Sequence, residues 1–156
     1  MKSLWSQFKF LVFIGWGIAL VRFLLDATAP EVSMYFGVYV AMPVVFHYCA
    51  IRESYRGVSW GRLALGMILL GVLVWGIPNT FSYTVAQFMG WRHGRFSEGR
   101  GPEIAATAIG KVLTGAQIGF FTSIAGSVWS IVWSTILIWP HGKFGKGATM
   151  EAKKPE

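Results

Sequence analysis

The sequence predicts an all-α integral membrane protein of four transmembrane helices, the third and fourth extended beyond the bilayer on the outer side. Three observations carry this reading. Of 156 residues, 54% are hydrophobic and only 13% charged, with mean hydropathy +0.51, whereas a soluble domain carries about 25% charged residues. Aromatic residues make up 16% of the chain and include eight Trp, the side chain that membrane helices use to fix their depth at the interface. Four apolar runs, each long enough to cross a hydrocarbon core of about 30 Å, alternate with short polar or basic connections.

The first run, 8–25, follows Lys2 and Lys9. A basic start, an apolar run and the small-x-small triplet Ala27-Thr28-Ala29 also resemble a signal peptide with its cleavage site. Arg22 interrupts the apolar region shortly before that triplet, so the segment reads as a retained helix. The second run, 33–51, follows the turn Ala29-Pro30-Glu31 and contains Pro43 and His47. Pro43 frees the carbonyl of Tyr39, four residues earlier, and predicts a kink.

The basic loop 52–62, with Gly57 and Trp60, suits a turn along the lipid interface. The third run, 63–89, passes Pro78 into a polar but helix-compatible stretch. At 1.5 Å per residue it spans about 40 Å, more than the core needs. Residues 90–102, GWRHGRFSEGRGP, are rich in Gly and Arg without apolar periodicity and form a loop. The fourth run, 104–139, ends at Pro140. Its first dozen residues overhang, either protruding or lying on the surface as an amphipathic helix. The domain 1–139 is followed by a basic, flexible cytoplasmic tail, 140–156, carrying Lys143, Lys146, Lys153 and Lys154.

Four crossings put Lys2, Lys9, Arg52, Arg56, Arg62 and the four tail lysines on one side. Arg22, Arg92, Arg95, Arg100 and Lys111 fall on the other. Basic residues are retained on the cytoplasmic side, so both termini are placed there, in a bacterial-type inner membrane. The net charge of +7 and pI near 9.9 are therefore read as topology, with no nucleic-acid partner. The single cysteine, Cys49, excludes an intramolecular disulfide and a CxxC motif.

On the fourth helix Gly115, Gly119, Ser123, Ser127, Ser130 and Ser134 recur every three or four residues. Such a stripe lets a second helix approach closely, either within the bundle or from a partner subunit. Arg22 and Asp26, four residues apart near the outer boundary, are expected to form an ion pair along the helix. Asn79, Tyr83 and Gln87 share an outer-side polar face beyond Pro78. His47 is the one histidine inside an apolar segment and the one candidate ligand for haem or chlorophyll; otherwise neither a cofactor nor a metal is expected. No carboxylate pair, HExxH, GxSxG or P-loop occurs, so the chain reads as a non-enzyme.

Together these features point to a small accessory or structural subunit of a larger membrane complex, respiratory or photosynthetic, with other membrane subunits and lipids as partners. Two alternatives are a small homo-oligomeric transporter or channel using the polar face, and a cofactor-binding electron-transfer subunit through His47.

Overall fold

The computed structural model describes the backbone of residues 4–55 and 58–138; the expected tail 140–156 lies outside the described residues, as do Lys2 and Arg56. All regular structure among them is helical: α1 (Leu4–Thr28), α2 (Pro30–Phe36), a π-helix (Gly37–His47), α3 (Tyr48–Tyr55), α4 (Trp60–Leu70), a second π-helix (Gly71–Gly76), α5 (Ile77–Met89), a 3₁₀ turn (Gly94–Phe96) and α6 (Ala108–Ile138). Three helical stretches, Phe8–Thr28, Trp60–Met89 and Ala108–Ile136, are long and apolar enough to cross a membrane. The expected second crossing corresponds to the run α2–π–α3, which is not among those three.

The boundaries follow from local chemistry. Pro30 disfavours helical geometry at Ala29 and suits the first position of a new helix, so a single residue separates α1 from α2. Ala29 serves both, donating its N–H to Leu25 at 2.7 Å and accepting from Val32 at 3.0 Å. The first crossing is thus longer than the apolar run suggested. Gly90, at φ 64°, ends α5 in the left-handed conformation that glycine adopts without penalty. The fourth helix starts at Ala108 instead of 104, because Thr107 caps it: its hydroxyl accepts the Gly110 N–H at 3.0 Å.

Pro43 and Pro78 account for the two π segments. A proline ring cannot donate and crowds the carbonyl four residues back. Around Pro43 the expected kink takes the form of wider winding, with the Tyr48 N–H reaching the Pro43 carbonyl. In the second segment the Ile77 N–H reaches back five residues to Val72. In that register the Leu73 carbonyl would next meet the nitrogen of residue 78, which carries no proton. The Trp16 indole supplies the missing donor from α1, at 2.7 Å.

The small-residue stripe packs against the Trp60–Met89 stretch of the same chain. A Cβ at Gly119 would collide with Thr80 Oγ1 and sit 2.7 Å from the Gly76 carbonyl, and one at Gly115 would collide with Thr84 Oγ1. Ser123 and Ser127 occupy the space above Gly76 and Gly71, while Ser130 and Ser134 are buried. Ser123 donates to Gly119 at 2.7 Å and Ser130 to Gly126 at 2.5 Å within α6, while Ser127 donates across to the Ile68 carbonyl at 3.5 Å. The remaining core joins Leu11, Phe46, Met67 and Leu70. Large apolar side chains such as Phe13, Leu20, Phe81, Phe120 and Val128 face outward, where lipid solvates them.

Candidate functional site

The charged residue at the end of α1 builds the site. Asp26 is fully buried, and an unpaired carboxylate in that position would be prohibitively costly. The Ser33 hydroxyl, one turn into α2, donates to its Oδ1 at 2.5 Å. The counter-charge comes from the loop: Arg95 Nε lies 2.9 Å from Asp26 Oδ2. The pairing expected between Arg22 and Asp26 is replaced by this one. Among the described residues Arg22 Nε is buried without a hydrogen-bond acceptor.

The Arg95 guanidinium meets three polar partners. Beyond the ion pair, Nη1 donates to Asn79 Oδ1 at 2.8 Å and Nη2 to Ser82 Oγ at 3.0 Å. The planar group stacks over Phe96 and Tyr83, at 4.9 and 5.4 Å from their ring centroids. An aromatic cap closes over the pair, with Trp91 edge-on to Phe23 at 5.0 Å and Tyr83 edge-on to Phe96 at 4.8 Å. Burial, aided by the nearby Arg22 charge, lowers the Arg95 guanidinium from its ordinary value to about 10, with Asp26 opposing the shift. It remains a cation at neutral pH.

Gly94 lets the loop come this close. Its φ of 54° favours glycine, and a Cβ there would stand 2.7 Å from Asp26 Oδ1. Farther along α5, Gln87 clasps the other arm of the loop as a backbone mimic. Its amide donates to the Glu103 carbonyl at 2.9 Å and its carbonyl accepts the Ala105 N–H at 2.8 Å. This clasp holds 103–105 outside the helix and accords with the late start of α6. The whole polar face Asn79, Tyr83 and Gln87 is thus spent on holding the 90–105 loop, whose Arg92, His93, Glu98 and Arg100 remain exposed.

A cavity of about 30 Å³ lies beneath Arg95, lined by Arg22, Asn79, Ala19, Val74, Trp75 and Pro78 among others. His47, at the end of the first π segment, is not part of this lining; its Nε2 is buried and has no hydrogen-bond partner among the described residues. No group of three or more His, Cys, Asp or Glu side chains placed to hold a metal occurs among the described residues.

The reading from sequence singled out Asp26, Arg22 and Asn79 but missed Arg95, Ser33, Ser82 and Gly94. A lone carboxylate ending an apolar helix signals that a cation must come to it. Arg92, Arg95 and Arg100 are equivalent by composition, and only the aromatic neighbours Trp91 and Phe96 set Arg95 apart. Comparison with protein families, curated proteins and solved structures finds no match for this chain.

Proposed function

We propose that this membrane protein is a non-enzymatic accessory subunit of a larger membrane assembly, and that the fastened 90–105 loop is its docking surface. The helical run from Pro30 to Tyr55 is taken as a fourth crossing, which places both termini on the cytoplasmic side and the loop outside.

The observation that carries this reading is the investment in loop order. Fixing a backbone residue costs about 1–2 kcal/mol of conformational entropy, and a loop serving only as a connection has no need of it. Here a buried ion pair, four hydrogen bonds shared with Asn79, Ser82 and Gln87, and three glycines at positive φ hold the loop in one shape. The surface so presented, Arg92 and Arg100 beside Glu98, suits a partner with an acidic face. The small-residue stripe on α6 is already occupied within the chain and leaves the loop as the recognition surface.

Blue-native electrophoresis of gently solubilised native membranes tests the reading. The wild-type chain is expected in a band larger than itself, and Arg92→Glu with Arg100→Glu is expected to release it at unchanged thermal stability. A wild-type chain that migrates as a stable monomer would sink the proposal.

A second reading, a small homo-oligomeric transporter, is favoured by the convergence of Arg22, Asn79 and Arg95 on one cavity. Proteoliposome flux that persists in Asn79→Leu and Gln87→Leu would remove its support.

A further inference from the structure

The charges beneath the loop do not balance. Arg95 is paired with Asp26, and Arg22 lies close enough to depress the Arg95 guanidinium. Two guanidinium groups therefore share one carboxylate at the end of an apolar bundle, leaving one positive charge. Burying an unbalanced charge is far costlier than burying a neutral pair.

Arg22 and Arg95 both line the same cavity, together with Asn79. Arg22 Nε is buried and has no acceptor among the described residues. The Asn79 carboxamide oxygen accepts from Arg95, and Asn79, a lining residue, carries an NH₂ donor besides. The remaining wall is apolar: Ile18, Ala19, Val74 and Pro78. The cavity thus offers donors from two residues, a net positive field and no carboxylate in its lining.

Its volume sets the size of the guest. About 30 Å³ exceeds the roughly 10–15 Å³ that one water molecule requires, and donors from Arg22 and Asn79 alone would leave most of the oxygen lone pairs of a phosphate or sulfate group unsatisfied. A water molecule would accept from Arg22 but leave the charge unbalanced. We infer that this cavity is a binding site for a single monatomic anion of the halide class, chloride in practice, held between Arg22, Asn79 and Arg95. The anion completes the charge balance under the loop and couples loop order to halide concentration.

A lipid-borne anion is the other conceivable source of negative charge, because an apolar groove of about 450 Å³ lies on the far side of Ala19 and Pro78, which line both spaces. The test separates the two. The purified full chain, in nonionic detergent, is unfolded thermally while sodium chloride replaces sodium gluconate at constant ionic strength. Tryptophan fluorescence reports the transition. A saturable rise in Tm with chloride, reproduced by bromide and not by sulfate, is expected, together with saturable broadening of the ³⁵Cl resonance.

Asn79→Asp is the decisive variant. Its shape is unchanged and its oxygen still accepts from Arg95, but it supplies a fixed negative charge. Its Tm should therefore become independent of chloride while the fold is retained. Arg22→Gln should likewise lose the chloride response. Equal Tm in chloride and gluconate for the wild type, a response that persists in Asn79→Asp, or a rise produced by anionic lipid and not by chloride would each overturn the assignment.

Discussion

Arg95 Nε stands 2.9 Å from Asp26 Oδ2, and this contact ties the 90–105 loop to the end of the first helix across the fold. With the Asp26 side chain 1% and the Arg95 side chain 15% exposed, the pair is shielded from solvent and salt. Such a pair is retained less for net stability than for fixing one arrangement, because the desolvation it incurs consumes most of the attraction. What it fixes here is the position of the 90–105 loop.

Removing one partner leaves the other charge stranded. Asp26→Asn and Arg95→Gln are each expected to destabilise the chain by about 3–5 kcal/mol in SDS-induced unfolding. The double variant should lose less than the sum of the two, by about 0.5–3 kcal/mol. Strict additivity would show that the two groups do not interact.

The lowered Arg95 guanidinium sets a pH signature. Below about 10 it is protonated in folded and unfolded chains alike, so its contribution to stability is constant there. Above about 10, and below the ordinary arginine range, the unfolded chain holds a proton that the folded chain has released, and stability from this group rises with pH. The stability difference between wild type and Arg95→Gln is therefore expected to be flat from about pH 7 to about pH 9. A slope in that range would place the titration elsewhere.

Gly119→Leu should disrupt the chain itself. The new side chain meets Thr80 and the Gly76 carbonyl, and overpacking of this kind costs about 1–3 kcal/mol or more. Ile124→Leu, on the exposed side of the same helix, is expected to be near neutral. Comparing the isolated chains by thermal unfolding checks both; an unaffected Gly119→Leu monomer would mean that the stripe faces outward.

Trp16→Phe keeps the ring but deletes the donor that serves Leu73 beside Pro78. A loss of about 1–3 kcal/mol is expected for a carbonyl left without its partner. Amide exchange should quicken selectively around residues 73–78, and a uniform change across all helices would argue against a local role.

The apolar runs, the prolines and the turn at Pro30 are legible in the sequence because each acts within one turn of itself. The π winding is a geometric answer to a missing donor that depends on neighbouring helices, as Trp16 at Leu73 illustrates. Arg22 and Asp26 share a helical face and read as partners, but spacing permits a pair without selecting it. Arg95 wins because Asn79, Ser82, Tyr83 and Phe96 prearrange it. The polar face of α5 was visible as a pattern; its role as a clasp became visible once Gln87 met 103 and 105.

Amide hydrogen exchange over residues 90–105 in the membrane-embedded chain tests the central claim most directly, namely that the Asp26–Arg95 pair holds this loop as an ordered surface. Slow exchange in the wild type that collapses to near-unprotected rates in Asp26→Asn, while α6 stays protected, is the predicted result. Unprotected exchange in the wild-type loop, or protection unchanged by Asp26→Asn, would contradict it.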